Sequence, residues 1–458
     1  MNKFLLLFGV CSLVISCDTS QKKVPESSSM VRLITLDPGH FHAALVQKSM
    51  YPQVDSVVQV YAPAGADLQF HLDRITAFNN RAEAPTHWKE EVYSATDYFD
   101  KMLAEKKGNV VVLAGDNQRK TEYILKSLEA GLNVLADKPM AINAGNFETL
   151  KKAFETAKEK NLLLYDIMTE RFEITTMLQR ELSMVPEIFG ALQKGTIDNP
   201  AVSKISHHCF YKYISGSVLT RPAWFMDVTR QGEGIVDVTT HLVDLVQWEC
   251  FPEQAIDYTK DINVLTAKHW PTNMSFTQFK TITKLDSIPS SLTKNVVNDS
   301  LLQIYSNGEI NYEIRGVHAK VSVIWDYQSP AGGDTHYSIM RGTKANLVVK
   351  QGAEQQYKPS LYIEQVISET DYETTLTEQI KKLRGKYPGI ELKKVSTGWE
   401  VIIPENYKEG HEAHFARVTQ KFLEYFTNHN IPQWEVEGML AKYYTTTKAL
   451  EIALKTKP

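Results

Sequence analysis

Unbroken apolar runs alternate with helix-spaced apolar positions over the first third of the chain. The stretch 109–139 is the clearest case: Val110–Ala114 is a short β-branched run, Lys120–Ala130 has apolar residues at helical spacing, and Leu132–Ala136 is a second apolar run. Such runs are typical of strands buried on both faces. Strand, helix and strand within about 30 residues predict a parallel crossover unit.

The same alternation continues on both sides of this unit, from 31 to about 168. It predicts a doubly wound parallel sheet flanked by helices. The further predicted strands are Val31–Leu36, Asp55–Tyr61, a short one near Tyr93 and Ala95, and Leu162–Ile167; the further predicted helices are a first one that ends near Ser49, then Ala66–Asn79, Asp97–Lys106 and Ala144–Lys160.

The pattern changes after Phe172. A helix is predicted over Thr176–Lys194, an alternating strand over Val202–Ile214 and an apolar helix over Ile235–Phe251. Strand-like runs then dominate, which predicts a large, mostly antiparallel open sheet followed by two closing helices. These elements are the strands Ile262–Ala267, Phe276–Ile282, Leu301–Tyr305, Ile310–Ile314, Ala319–Trp325, Tyr337–Arg341, Ala345–Lys350, Leu361–Ile367 and Trp399–Ile403, turns at 306–308 and 396–398, and the helices His411–Asn428 and Val436–Lys455.

The predicted fold class is therefore α/β with two domains. A Rossmann-type doubly wound parallel sheet occupies 31–168, and an α+β domain with a large, mostly antiparallel open sheet occupies 169–458. The length of the chain is sufficient for two cores.

The first 16 residues are typical of an export signal and not of a folded segment. Lys3 is followed by an apolar stretch that is too short to span a bilayer, and a small residue precedes Cys17. This combination predicts a lipoprotein signal peptide, with an ordinary signal peptide as the alternative. We predict a lipid on Cys17, a polar tether over 17–30 and a periplasmic location at a bacterial membrane, with the lipid as the only membrane contact.

Composition narrows the range of partners. A formal net charge of −4 and a pI near 6.4 give no basic surface for nucleic acid. Cys209 and Cys250 are either a disulfide pair in an oxidising compartment or two free thiols. No CxxC or finger spacing occurs, so no metal site is predicted.

One candidate cation lies at a predicted strand end. Asp137 and Lys138, fixed by Pro139, follow a buried strand, and ligands of open α/β sheets bind at the carboxyl ends of strands. Lys138 is therefore a candidate active-site residue. Its position alone fits an ordinary surface lysine equally well.

The loop after the first strand departs from the dinucleotide-binding pattern. Only Gly39 keeps its place, while Asp37 and His42 stand in the flanking glycine positions. A helix amino terminus still offers N–H groups to a phosphate. His40 and His42 either contact a ligand or pack at the helix start. No acid or arginine marks the end of the second strand, so the sequence does not distinguish NAD from NADP.

Two further groups carry candidate chemistry. Asp237 and His241 stand four residues apart on a predicted helix and share one face, either as functional groups or as a hydrogen-bonded surface pair. The segment 411–414 lacks the spacing of the HExxH metal motif and is predicted to be helix-start surface. The glycine-containing segment 331–334 is a candidate lid.

Three motifs in this order resemble the glucose-fructose oxidoreductase / inositol dehydrogenase (Gfo/Idh/MocA) family. A buried strand leads into Gly115-Asp116-Asn117, where the family has T-P-N. The segment 130–139 resembles A-G-K-x-V-x-x-E-K-P, with Asp137 for glutamate, and 232–241 resembles the glycine-rich turn followed by D-x-x-x-H. The resemblance covers about residues 31–250. The sequence departs from the family at the glycine loop and at Lys120, where members often have histidine.

The resemblance implies NAD or NADP in the first domain, a sugar or polyol on the large sheet, and a dimer or tetramer. His241 is implied as the base that takes a hydroxyl proton, Lys138 as the cation that stabilises the alkoxide, and Asp237 as an orienting or substrate-binding group. The implied cofactor contacts are Gly39, His40, Phe41, Asn117, Asp137 and Lys138, and the candidate sugar contacts are Arg171 and Trp224.

Three functions follow as hypotheses. The first is an exported NAD(P)-dependent oxidoreductase that acts on a carbohydrate hydroxyl. The second keeps the cofactor but cleaves a glycoside by oxidation, elimination and re-reduction. The third is a carbohydrate-binding protein without cofactor, which the eroded loop at Gly39 favours and the presence of Lys138, Asp237 and His241 opposes.

Overall fold

The computed structural model describes residues 30–214, 217–329 and 333–456. The predicted signal peptide, the lipidation site Cys17 and the tether as far as 29 lie outside these residues. Of the predicted lid, Ala331 and Gly332 also lie outside them.

The first half is a six-stranded parallel sheet, as predicted. Its strand order is β3-β2-β1-β4-β5-β6, which doubles back on both sides of the first strand. All four residues of β4 are buried, as the unbroken apolar run requires. The strands are β1 Leu33–Leu36, β2 Val57–Tyr61, β3 Lys89–Tyr93, β4 Val110–Leu113, β5 Asn133–Asp137 and β6 Leu164–Ile167.

Helices connect these strands, and some of them begin or end at typical capping residues. The side chain of Asn143 accepts a hydrogen bond from the Asn146 N–H and caps the fifth helix, and Gly131 follows the fourth helix with φ +88°. The first helix is shorter than predicted, because the N–H groups of Gln47 and Lys48 bond three residues back instead of four. The helices are α1 His42–Leu45, α2 Ala66–Asn80, α3 Tyr98–Glu105, α4 Lys120–Glu129 and α5 Ala144–Glu159.

The second half contains a ten-stranded sheet in the order β10-β12-β13-β7-β14-β15-β16-β18-β17, with β11 paired to β12. Only the β13–β7 pair is parallel among the described strands of this sheet, so the sheet is mostly antiparallel, as predicted. The strands are β7 Val202–Cys209, β8 Tyr213–Ile214, β9 Ser217–Val218, β10 Ile262–Ser275, β11 Val296–Val297, β12 Leu301–Ile314, β13 Val317–Asp326, β14 Thr335–Arg341, β15 Ala345–Gln351, β16 Ser360–Gln365, β17 Glu391–Val395 and β18 Gly398–Ile402, with β8 and β9 forming a separate hairpin.

The helices of the second half lie between and after these strands. The predicted helix Thr176–Lys194 is broken, because Pro186 begins a new short helix. The helix Tyr372–Leu383 was not predicted. The helices are α6 Ile174–Ser183, α7 Pro186–Phe189, α8 Val228–Gln231, α9 Thr239–Cys250, α10 Tyr258–Asp261, α11 Phe276–Thr283, α12 Tyr372–Leu383, α13 His411–Asn428 and α14 Gln433–Lys455.

Two local predictions are wrong. Phe276–Ile282 is a helix and not a strand, because Ser275 and Gln278 form a reciprocal capping box at its start. Residues 306–308 are not a turn but the middle of β12. A Cβ on Gly308 would lie 2.5 Å from Ile235, so this glycine serves a close approach between elements and not a reversal of the chain.

Each half has its own hydrophobic core, and the end of the chain contributes to both. Phe415, Phe422 and Tyr443 from α13 and α14 pack into the core of the first sheet. Ala449 and Leu450, further along α14, pack into the core of the second sheet. The last two helices therefore join the two halves.

Cys209 and Cys250 are free thiols, which decides between the two alternatives. Within the described ranges, no helix combines the length and the apolar character that a membrane span requires.

Candidate active site

A cavity of about 550 Å³ lies between the two sheets. The carboxyl ends of β1, β4 and β5 supply one side of it, as expected for an open α/β sheet. The turn before α9 and the strands β7 and β14 supply the other side. The lining side chains used below are His40, His42, Asn117, Asp137, Lys138, Glu170, His208, Lys212, Asp237, His241, Asp334 and His411.

Two glycines shape the turn that leads into α9 at the cavity. Gly232 has φ +92°, and a Cβ on Gly234 would lie only 1.7 Å from the Ser306 carbonyl oxygen. Any side chain at Gly234 would therefore push the turn away from β12. The close contact places Asp237 and His241 at the cavity.

Lys138 lies in the cavity and is not an exposed surface lysine. Its Nζ donates a hydrogen bond to Asp237 Oδ1 at 2.5 Å, with side-chain exposures of 12% and 7%. Gln231 Nε2 donates to the other oxygen of Asp237 at 2.9 Å. Asp237 is thus bonded to Lys138 and Gln231, and no hydrogen bond links it to His241. The structure corrects the implied role of Asp237 as the group that orients His241.

His241 lies in the first turn of α9 and lines the same cavity. Its Nδ1 is buried without a hydrogen-bond partner. Burial, followed by the positive charge of Lys138, holds the pKa of His241 well below its usual value. The imidazole is therefore neutral at neutral pH and able to accept a proton.

The loop after β1 lies against the loop after β4. A Cβ on Gly115 would lie 2.3 Å from the Asp37 carbonyl oxygen, so only glycine permits this contact. Asn117 follows, with its Nδ2 donating to the Gln231 carbonyl oxygen at 2.7 Å. Its Oδ1 is buried without a partner. An unpaired buried acceptor at the cavity fits a ligand that donates a hydrogen bond, as the carboxamide of a nicotinamide ring does.

The outer side of the Gly39 loop is covered by an indole. A Cβ on Gly39 would lie 3.2 Å from Trp224 Cζ2, and Trp224 Nε1 donates to Asp67 Oδ2 at 3.0 Å. This glycine is the position where a dinucleotide pyrophosphate approaches the backbone. The structure therefore corrects the assignment of Trp224 as a sugar-stacking surface, because the indole packs on the loop outside the cavity.

Carboxylates surround the same position. Asp37 Oδ2 accepts a hydrogen bond from Tyr123 at 3.0 Å, and Asp116 pairs with Arg230 at 2.6 Å. Burial raises the pKa of Asp37, and Asp116 raises it further. The chain thus fits the nicotinamide end of the cofactor at Asn117. The indole of Trp224 lies on the Gly39 loop, at the position where a dinucleotide pyrophosphate would approach the backbone.

Four side chains form a cluster beside Lys138, which we call the histidine cluster: His40, His42, Asp137 and His411. Asp137 Oδ2 lies 2.9 Å from His42 Nδ1 and 3.5 Å from His40 Nδ1. His42 Nε2 lies 3.3 Å from His411 Nε2. His42 and Asp137 are buried. His411 is the first residue of α13 and its side chain is 41% exposed, as predicted for helix-start surface, and it also lines the cavity.

The second sheet contributes polar groups that the sequence did not reveal. Asp334 Oδ2 accepts hydrogen bonds from His208 Nδ1 at 3.0 Å and from Lys212 Nζ. Against the raising effect of burial, the hydrogen bond from His208 and the charge of Lys212 lower the pKa of Asp334 to about 2. His208 in β7 and Lys212 just after it precede Asp334 by 126 and 122 residues, so no spacing in the sequence could have indicated their contact with Asp334.

Arg171 is not a substrate contact. Its guanidinium donates to both oxygens of Asp244 at 2.6 and 2.7 Å and to Glu435 at 2.8 Å. Lys442 bridges Asp244 and Asp166, both at 2.7 Å. All five side chains are buried, and together they form what we call the ion network. The guanidinium has its partners within the protein, which corrects its assignment to sugar binding.

The chain matches known protein families over most of its length. Residues 39–166 match the family described as "Oxidoreductase family, NAD-binding Rossmann fold" (Gfo/Idh/MocA). Residues 178–454 match the family described as "Putative oxidoreductase C terminal domain".

Individual proteins agree with these matches. A crystal structure described as a "putative oxidoreductase" from Parabacteroides merdae is 57% identical, with a TM-score of 0.92 over 93% of this chain and 98% of that chain. Levoglucosan dehydrogenase, in complex with NADH and levoglucosan, is 13% identical with a TM-score of 0.58 over 93% and 97%, a likeness of fold alone.

A curated relative supports the same grouping over a shorter stretch. An uncharacterized oxidoreductase from Schizosaccharomyces pombe is 25% identical over 189 residues, which are 38% of this chain. The matched part spans 46%, about half, of the length of that relative.

Proposed function

Because the chain belongs to the Gfo/Idh/MocA family of NAD(P)-binding oxidoreductases, we propose that it oxidises a hydroxyl group of a sugar, polyol or glycoside, or reduces the corresponding carbonyl group, outside the cytoplasm. One observation carries the proposal: Lys138, Asp237 and the neutral imidazole of His241 line one cavity with the unpaired Oδ1 of Asn117.

The cavity suits a polyhydroxylated molecule. Its volume of about 550 Å³ lies within the range of small-molecule sites, about 300–1,000 Å³. Asp334, His208 and Lys212 offer hydrogen-bonding groups opposite the first sheet. Hydroxyl groups both donate and accept hydrogen bonds, so they can pair with carboxylate, imidazole and ammonium alike.

The side chains divide the acid–base work. When NAD(P) is bound, it supplies the hydride acceptor or donor. His241 takes the proton of the reacting hydroxyl, because its imidazole is neutral before the reaction. The ammonium of Lys138 stabilises the negative charge that develops on the oxygen. Asp237, held by Gln231, keeps that ammonium in place.

The location is part of the proposal. The predicted lipoprotein signal at residues 1–16 supports export, and a lipid on Cys17 would hold the enzyme at a bacterial membrane. Mass spectrometry of the native protein checks the lipid. A mature chain that keeps residues 1–16 would contradict it.

The first experiment asks whether cofactor accompanies the purified chain. We expect mass spectrometry of the denatured protein, or titration of the folded protein, to show NAD or NADP. Asn117→Ala should weaken cofactor binding by ~10-fold, about one hydrogen bond. Asn311→Ala on β12, outside the cavity lining, is the matched control. A folded protein that binds a sugar but no dinucleotide would replace this proposal with the cofactor-free binding protein.

The second experiment identifies the product. Screening sugars and glycosides with the loaded enzyme should give a ketone or aldehyde with net reduction of the cofactor. A cleaved glycoside with no net change in the cofactor would instead establish the oxidation–elimination route.

A further inference from the structure

We propose that His40, His42 and Asp137 form a binding site for one divalent transition-metal ion, with His411 as the supporting residue behind His42. The proposal does not depend on the redox reaction above, because it concerns binding of an ion by the described side chains.

The three donor groups are already close enough to share an ion. Their ligand atoms all lie within 4.8 Å of one another, with Asp137 Oδ2 at 2.9 Å from His42 Nδ1 and at 3.5 Å from His40 Nδ1. Tetrahedral Zn²⁺ with bonds of about 2.0–2.1 Å holds its ligand atoms about 3.3 Å apart. Small side-chain adjustments are therefore sufficient to reach ligand geometry.

The chemical state of the groups suits a cation. The Nδ1 atom of His40 is buried and has no hydrogen-bond partner, which is costly unless a ligand satisfies it. A neutral imidazole offers a ring-nitrogen lone pair to a metal, and the Nδ1 atoms of His40 and His42 lie 3.5 and 2.9 Å from Asp137 Oδ2. Asp137 supplies the negative charge.

A supporting shell stands behind the ligands. With Nδ1 of His42 on the ion, the Nε2–H of that ring points to His411 Nε2 at 3.3 Å, and His411 Nδ1 lies 3.8 Å from Glu170. Metal-bound histidines normally donate their other ring N–H to such a partner. The backbone oxygen of Asp137 accepts from buried Lys120 at 2.9 Å, which fixes the end of β5.

The surroundings leave room for the ion to act on a ligand. All three proposed ligands line the cavity that also contains Lys138 and His241. Asp237 partly neutralises the nearby ammonium of Lys138 at 2.5 Å, which reduces its repulsion of a cation. Two imidazoles and one carboxylate are typical of catalytic zinc and non-haem iron sites that keep open coordination positions. We assign those positions to an oxygen atom of a small molecule in the cavity.

The test uses the untagged mature chain after treatment with a chelator. We expect Zn²⁺ to bind with a stoichiometry of one in calorimetry and to raise the melting temperature by mass action. Co²⁺ should give a visible d–d spectrum of nitrogen and oxygen ligation, displaced by Zn²⁺. Absence of both signals from the folded protein would overturn the proposal.

Variants place the ion. His40→Ala and His42→Ala should each lower the affinity by at least ~100-fold, and His411→Ala should lower it by ~10–100-fold with the stoichiometry unchanged. His207→Ala, which removes a histidine outside the cavity, is the matched control. Should His42→Ala fail to fold, His40→Ala decides, because the His40 side chain is 24% exposed and lacks a hydrogen bond at Nδ1. Unchanged zinc affinity in His40→Ala would put the ion elsewhere.

These outcomes are independent of the proposed enzyme function. Failure of metal binding leaves the cofactor and product experiments unaffected, since neither measures the ion. Conversely, zinc binding in a chain that binds no dinucleotide would sustain this proposal and contradict the other.

Discussion

The ion network and the cavity are both groups of buried charged residues, and they differ in how completely their atoms are paired. In the network, Asp244 accepts from Arg171 and Lys442, and none of its five members has a buried polar atom without a partner. In the cavity, buried nitrogen atoms of His40 and His241 and the amide oxygen of Asn117 have none.

This difference distinguishes charged residues that stabilise the fold from charged residues that are available to a ligand. The network connects β6, α9 and α14. Its charged groups are bonded to one another, so they are not available to a ligand. The cavity leaves acceptors and donors open at a place that a small molecule can reach. Unpaired buried polar atoms, more than burial or charge, thus distinguish the cavity from the ion network.

The largest effect should come from breaking the network. Asp244→Asn leaves Arg171 and Lys442 buried with an incomplete partner, so the free energy of unfolding should fall by ~3–5 kcal/mol. Urea unfolding followed by circular dichroism measures it. Asp326→Asn, at an exposed ion pair with His207, should change it by less than ~0.5 kcal/mol. An unfolding curve of Asp244→Asn that overlays the wild type would contradict the structural role of the network.

Removal of a group with an unpaired buried atom should lower the activity and leave the stability almost unchanged. His241→Ala should lower turnover by ~10²–10⁴-fold, because the reaction loses its proton acceptor. The melting temperature should stay close to that of the wild type, since no hydrogen bond to Nδ1 is lost. His207→Ala is the control and should change neither quantity. Full turnover in His241→Ala would exclude it as the base.

A smaller effect is expected at Trp224, whose indole covers the Gly39 loop outside the cavity. Trp224→Ala uncovers Gly39 and removes the hydrogen bond to Asp67, so the dissociation constant for the dinucleotide should fall by ~10-fold. Fluorescence titration with NADH measures it, with Trp270→Ala on β10 as the control. Equal or weaker binding in Trp224→Ala would show that the indole does not exclude the cofactor.

The smallest effect concerns pH. Burial and Lys138 lower the pKa of His241, so kcat/KM should stay constant as pH falls through 6.5 and decrease only well below it. Lys138→Met removes the repelling charge, which raises that pKa and moves the acid limb upward by ~1 pH unit. Lys320→Met, at a surface ion pair with Glu309, is the control. An acid limb that does not move would mean that another group controls it.

The sequence was sufficient for the parallel sheet because its signal is local. Runs such as Val110–Leu113 contain no polar residue, and all four of these side chains are buried. The error at Phe276–Ile282 has an equally local cause. Its apolar run is too short to distinguish a helix from a strand, and the capping box of Ser275 and Gln278 is what favours the helix. The wrong prediction of a turn at 306–308 has a distant cause, because Gly308 is required by the close approach of Ile235, which is far away in the chain.

The candidate site shows the same difference between local and long-range signals in the sequence. The sequence indicates Lys138, Asp237 and His241 as candidates because each lies in a motif of a few residues, and all three line the cavity. Arg171 was misassigned because its partners, Asp244 and Glu435, are 73 and 264 residues away. The histidine cluster gave no spacing signal for the same reason, since Asp137 follows His42 by 95 residues.

The packing of α13 and α14 onto the first sheet has a consequence for synthesis. Phe415, Phe422 and Tyr443 belong to the core that begins with β1, so the earliest strands lack part of their packing until the ribosome has reached the end of the chain. The first half therefore cannot complete its folding before the second half has been synthesised. A premature stop codon shortly before His411 would thus remove only the last tenth of the protein and yet leave the nucleotide-binding half incomplete.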